Sequence, residues 1–266
     1  LAQTYPVSQI LAVRFWLFSA FAIFVLCRGR VREALRTAHL GLQVLRGLVI
    51  TLEVGIFVLA FKHLPLANAH AVAGVAPLLV TVLAVPLLGE HVGWQRWLAV
   101  GAGFLGLLVI IRPGLAMFDP ASMLPLLGAL LWATYQLLVR RTSDDSPGTL
   151  MLYMALIGAV VAGSIAPFQW VSPDREGWAL LGLLGCIGSL GHWLLILALR
   201  SAPASQLQPF HYTVFVWAVV LGAVVFDEFP DHWTLCGALI IAGSGVFAWS
   251  QGQSNDGTSA TMKPSL

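Results

Sequence analysis

Residues 57–69 read FVLAFKHLPLANA, and residues 195–207 read LILALRSAPASQL. The two stretches lie 138 positions apart, so Lys62 falls on Arg200, Pro65 on Pro203 and, further along, Glu90 on Glu228. The flanking text agrees: PLLGEHVGWQRWLAVGAG (86–103) falls on VVFDEFPDHWTLCGAL (224–239), with about a one-residue slip after the glutamate. The chain is therefore built from two related halves, and the fold follows from what those halves contain.

They contain apolar runs. Hydrophobic residues make up 58% of the 266, charged residues only 10%, and mean hydropathy is +0.85. A soluble domain is about one quarter charged and could not hide this much apolar side chain. A cytosolic globular enzyme, a nucleic-acid binder and a disordered chain are excluded. A membrane β-barrel alternates apolar and polar residues, whereas these runs are continuous. The net charge of +2 names no partner. Cys27, Cys186 and Cys236 lie in apolar runs without ligand or redox spacing, so no metal or cofactor is expected.

A spanning helix needs roughly 20 apolar residues. Nine are predicted: 6–27, 42–61, 64–88, 94–111, 121–139, 149–167, 178–199, 202–226 and 233–249. Loops on one side hold Arg28, Arg30, Arg32, Arg36, Arg96, Arg140, Arg141, Arg200 and Lys263; the other side holds Lys62, Arg112 and Arg175. The richer side is cytoplasmic by the positive-inside rule, which places the C-terminus inside. Residues 251–266 are polar and expected to be disordered.

Spans two to four match spans seven to nine. Five spans is an odd number, so the copies run in opposite directions, an inverted-topology repeat. The span 121–139 lacks a counterpart, and the chain opens on Leu1, with its first arginines after the first apolar run rather than before it. The first apolar run is therefore not expected to be a signal peptide. The expected parent is an all-α polytopic membrane protein of ten spans in a 5+5 inverted repeat, nine of them seen here. Residues 1–112 form the first repeat without its first helix, and residues 120–250 form the second.

Ten spans, an inverted repeat, Arg14 in the first visible span, the LPLANA and APASQ joints, and the GE and DE turns leading into Gly-rich spans together resemble the drug/metabolite transporter superfamily, EamA type. The resemblance covers residues 1 to about 249. It implies a secondary active carrier of small organic metabolites or drugs, with export favoured over import.

Ionisable side chains at membrane depth are costly and mark functional sites. Of the 12 acidic residues only Glu53 falls inside a span, eight residues from its outer end; Arg14 lies eight residues from the outer end of its own. At 1.5 Å per residue both sit roughly 12 Å deep, which predicts an Arg14–Glu53 pair that binds substrate or a proton, or serves as a structural ion pair. Arg46 shares the Glu53 face but lies near the cytoplasmic end, where it is expected to snorkel as a topology anchor. In the second half Gln208, His211, Tyr212 and Phe215 follow helical spacing on one face. His192 and His70 complete a set of imidazoles that could line a cavity or carry protons near neutral pH. Trp132, Tyr135 and Gln136 share another face, suited to flat or amine-bearing ligands. Pro77 and Pro209 are candidate hinges. Glu90 and Glu228 are expected to cap the helices that follow them.

Gly101-Ala-Gly-Phe-Leu-Gly106 fits a nucleotide fingerprint but lies inside an apolar span, where glycines serve close packing. No ATP-binding loop, H-E-x-x-H or catalytic carboxylate pair is present. Catalytic residues are therefore not assigned. Two rival classes remain open: an intramembrane enzyme using His192, His211 and Ser189 or Glu53, and a non-transporting scaffold. The partners expected of a carrier are a small-molecule substrate, lipid and protons.

Overall fold

A computed structural model describes residues 1–28, 30–88, 93–111, 119–201, 207, 210, 211 and 213–260. The described residues form helices and connecting turns, with no strand among them. Among the described residues, apolar helices overlap each of the nine predicted stretches: six are long enough to span on length and composition, and three, at 97–111, 213–226 and 232–247, are shorter.

Helix α1 (Val7–Phe21) runs into a π turn at Ala22–Leu26. A single turn at Val31–Ala34 leads to α2 (Leu40–Ala60). The third span is split into α3 (Leu66–Ala73) and α4 (Ala76–Leu88). Helices α5 (Trp94–Ile111), α6 (Met123–Arg141), α7 (Pro147–Ile165) and α8 (Arg175–Ser201) follow. Then come α9 (Thr213–Phe226) and α10 (His232–Ala260).

Local chemistry sets several starts. Ser146 accepts the Thr149 N–H at 3.0 Å and Pro147 occupies the first turn of α7, where its missing N–H costs nothing. Asp174 accepts from Gly177 N (2.7 Å) at the start of α8, and Asp231 from Thr234 N (2.8 Å) at the start of α10. The break between α3 and α4 has a cause in Pro77. Having no N–H, it cannot bond the Ala73 carbonyl four residues back, and α3 stops at Ala73. Helix α10 is described through Ala260, past residue 251 where the polar tail begins. Residues 261–266 lie outside the described set.

The chain divides into two compact units, which cut across the sequence repeats. Unit 1 is Leu1–His63 with Thr134–Pro203; unit 2 is Leu64–Ala133 with Ala204–Leu266. In unit 1, α1 packs on α7 and α8, and α2 packs on α7. Glycines allow that closeness: a Cβ on Gly158 would sit 2.5 Å from the Phe15 ring, and one on Gly47 would sit 2.6 Å from Ile157. Gln9, fully buried on α1, forms a two-way amide clamp with Val171, donating at 2.7 Å and accepting at 2.9 Å. In unit 2, α5 and α10 meet at Gly106 and Gly237, where added Cβ atoms would lie 2.8 and 2.6 Å from the facing carbonyls. Gly103 presses on Leu78 and Ser244, while Gly101 has open space. Two of the three fingerprint glycines thus serve packing. Outward side chains such as Val160, Leu105 and Leu239 are exposed and apolar, as hydrocarbon requires.

Glu228 corrects an expectation. It does not cap α10, which Asp231 caps. Its Oε2 instead accepts the Leu66 N–H at 3.2 Å, the first amide of α3. Glu228 is aimed there by the turn after α9, where Asp227 takes φ 54° and Glu228 N donates to Gly222 O at 2.9 Å. Such an amide has no partner within its own helix, and a carboxylate there also favours the positive end of the dipole. Glu228→Ala is expected to lower stability by about 1 kcal/mol and Glu228→Gln by less, read as melting temperature in detergent. An unchanged melting point for the alanine variant would remove the cap's assigned role.

Candidate functional site

In unit 1 four helices bring polar groups together. Arg14 (α1) lays its guanidinium over the Phe18 ring, 5.1 Å from the centroid. Gly188 on α8 makes this possible: a Cβ there would lie 3.1 Å from Phe18 and 3.6 Å from Arg14 Nε. One turn further along α8, His192 Nδ1–H donates to Gly188 O at 3.3 Å. In the neutral form of the ring, that bond leaves Nε2 as the acceptor. The His192 ring packs against Phe18 (5.4 Å) and against Tyr135 of α6 (6.3 Å). Tyr135 is fully buried and lies within electrostatic range of Arg14, Arg46 and Glu53. Glu53 (α2) is 8% exposed and has neither a hydrogen bond nor a salt bridge with any described residue.

Arg14 and Glu53 therefore meet in one cluster, but not as the contact pair that their equal depth predicts. They act on each other electrostatically without a salt bridge. Arg14 is held over Phe18 instead, and its buried Nε has no hydrogen-bond partner.

Arg46 also departs from expectation. It is 0% exposed and does not snorkel. Its Nε and Nη2 donate to Gln43 Oε1 (3.1 and 2.6 Å), Nη2 also donates to Leu150 O of α7, and the guanidinium lies 5.7 Å from the Tyr135 centroid. Gln43 in turn donates to Asp145 Oδ2 at 2.7 Å, and Thr37 donates to the same oxygen at 2.6 Å. Folding the 142–146 loop over the end of α2 buries what position along the helix alone marks as exposed. Nothing local to Arg46 signals this except Gln43 one turn before it.

In unit 2, Trp132 stacks on His211 at 5.9 Å. His70 lies in electrostatic range of His211 and lines a cavity of about 450 Å³ with Thr213 and Phe215. The predicted face of α6 is thus shared out: Trp132 serves unit 2, while Tyr135 and Gln136 belong to unit 1. Pro77 stands in the first turn of α4. Gln208, Tyr212, Pro209 and Glu90 fall outside the described residues.

Apolar helices of spanning length that enclose a charged, incompletely paired cluster define an integral membrane protein with the features of a carrier. The sequence matches the EamA-like transporter family over residues 1–112 and 120–249. The chain belongs to that family, and it is a small-molecule transporter rather than an enzyme. It is 30% identical over 225 residues to the S-adenosylmethionine uptake transporter of Rickettsia prowazekii (strain Madrid E), covering 84% of this chain and 76% of that one. It is 33% identical over 221 residues to the riboflavin transporter of Vibrio cholerae serotype O1, covering 82% and 74%. A solved crystal structure shares the fold with a TM-score of 0.69 over 95% of this chain and 90% of that one, at 21% identity.

Proposed function

We propose that the protein is a secondary active transporter of the bacterial cytoplasmic membrane, with its C-terminus inside, that moves a small organic metabolite by alternating access. The observation that carries this reading is Glu53: an acid buried in a spanning helix, beside an arginine, with no hydrogen bond or salt bridge among the described residues. A structural role would favour a closed pair, since burying either charge alone costs several kcal/mol. Charges kept from each other are suited to exchanging partners, here substrate and proton. Glu53 is the proposed coupling carboxylate, with Arg14, His192 and Tyr135 around it. His70, His211 and Trp132 supply a second, aromatic contact surface, and the Pro77 break gives a point where a span can bend. The inverted repeat supports alternating access, because two oppositely oriented copies can exchange conformations.

Export is the direction expected from the family resemblance. The relatives from Rickettsia carry uptake in their names, and inward transport is the direction we assign. Cells expressing the protein at known density, given labelled S-adenosylmethionine or riboflavin under an imposed pH gradient, test the reading. Accumulation that collapses with a protonophore is expected. Efflux from preloaded cells without uptake would restore export, and accumulation indifferent to the pH gradient would remove proton coupling. If neither compound nor any member of a metabolite panel moves, transport by this protein is overturned in favour of a scaffold.

A further inference from the structure

Toward the C-terminal end of α2, unit 1 carries a groove of about 960 Å³ walled by α1, α2 and α7. On α2 the lining residues Leu48, Leu52, Gly55, Ile56 and Leu59 recur at helical spacing, and Lys62 continues the stripe just past the end of the helix. Val7 and Leu11 of α1 and Val161 and Ile165 of α7 supply the other walls. Thr51 adds no free donor, because its hydroxyl is spent on the Gly47 carbonyl at 2.7 Å. Beside Leu48 the wall is shut, since Gly47 lets α2 press on Ile157 of α7. Sideways the groove is open: Leu52 and Ile165 are half-exposed, on a surface that hydrocarbon covers.

The two ends of this groove differ in chemistry. From Leu48 to Leu59 the stripe runs about 16 Å at 1.5 Å per residue, close to half of the roughly 30 Å hydrocarbon core. One turn further stands Lys62, at the level of the headgroups. Its backbone is held there by Gln3, which donates to the Phe61 and Lys62 carbonyls at 3.2 and 3.4 Å. Trp170 follows the lining residue Gln169 and lies 6.3 Å from Trp178; tryptophans of this kind settle at the same level. Among the described residues Lys62 is the one charged side chain of the lining, and it makes no ion pair.

We infer that this groove binds one anionic phospholipid, with an acyl chain along the Leu48–Leu59 stripe and the phosphate against the Lys62 ammonium. The match is of length, polarity and charge together. A neutral lipid fills the stripe and leaves the ammonium without a counter-charge. A free phosphate answers the ammonium and leaves the stripe unfilled. The bound lipid ties α1, α2 and α7 together at one end of unit 1.

The test uses the full chain in neutral detergent and native mass spectrometry with dioleoyl phosphatidylglycerol, dioleoyl phosphatidylcholine and glycerol phosphate. The wild type is expected to hold one phosphatidylglycerol about fivefold more tightly than phosphatidylcholine, the worth of a single lysine at a charged lipid surface, and to retain no glycerol phosphate. Lys62→Gln is expected to abolish the preference while both lipids still bind, and Lys62→Arg to keep it. Leu52→Trp fills the stripe from a half-exposed position and is expected to lose both lipids. A phosphatidylglycerol with a diazirine in its acyl chain reads the site in unaltered protein, with cross-links expected on residues 48–59 and 161–165. Should Leu52→Trp fail to fold, the cross-link map decides alone. Equal retention of the two lipids by the wild type, a preference that survives Lys62→Gln, or a folded Leu52→Trp that keeps both lipids overturns the inference. So do cross-links spread evenly over the outward helices, or retention of glycerol phosphate in place of the lipids.

Discussion

Glu53→Gln is expected to lower the initial rate of substrate uptake about 100-fold at equal membrane density while the protein still folds. The amide is nearly the size of the carboxylate, so the packing of α2 is kept. What is lost is the negative charge that answers Arg14 and the capacity to carry a proton. Removing one partner from a buried charged interaction costs about 2–5 kcal/mol, much of it the penalty for the charge left behind; at 1.4 kcal/mol per tenfold, a loss of about 2.8 kcal/mol within that range is two decades. Counterflow of labelled against unlabelled substrate, which needs no net driving force, separates the two losses. A variant that retains counterflow but no longer accumulates substrate assigns Glu53 to coupling. A variant with wild-type uptake and wild-type gradient dependence removes Glu53 from the pathway.

The second large effect falls on stability. Arg46→Leu is expected to cost about 3–5 kcal/mol, as when one member of a buried ionic network is removed. It leaves Gln43 Oε1 and the extra bond to Leu150 O without their donor, and Asp145 without its link through Gln43 to a positive charge. Arg46→Lys is expected to fall between, because a single ammonium cannot bond Gln43 twice, reach Leu150 O and keep the guanidinium's place beside the Tyr135 ring. Melting temperature and monodispersity in detergent read both variants. An Arg46→Leu protein as stable as the wild type would show that the network contributes nothing net, as hydrophobic replacements of buried ion pairs sometimes do.

The spans were legible because hydrocarbon imposes a single demand, some 20 apolar residues in a row; among the described residues six helices meet it and three apolar helices are shorter. The repeat and the family resemblance rest on the same plain pattern. The break at Gly74 was legible through Pro77, whose missing N–H acts locally. The site was legible in part. Counting residues from the membrane surface put Arg14 and Glu53 at one depth, and they share a cluster. Counting could not show that Phe18 and Gly188 hold the arginine aside, because that depends on a helix more than 170 positions away in sequence. Arg46 was misread for the same reason, since the loop that buries it belongs to another part of the chain. Trp132 and Tyr135 share a helical face by period, yet the unit boundary passes between Ala133 and Thr134. Glu228 was misread by a rule that looks only to the next helix, when its partner Leu66 is 162 residues back.

The interleaving of the two units has a consequence for biosynthesis. A ribosome delivers residues 1–133 before either unit can be complete, because unit 1 needs 134–203 and unit 2 needs everything after 203. Helices α3, α4 and α5 must therefore enter the bilayer and wait there while more than 90 residues are translated before α10, which α5 packs against, is made. Their apolar faces can wait in lipid, which is as apolar as leucine. The Leu66 amide, at the loop end of α3, gains its side-chain acceptor only when Glu228 arrives. An early-made helix is thus capped by a late-made glutamate, and unit 2 closes only when its second segment, Ala204–Leu266, is in place.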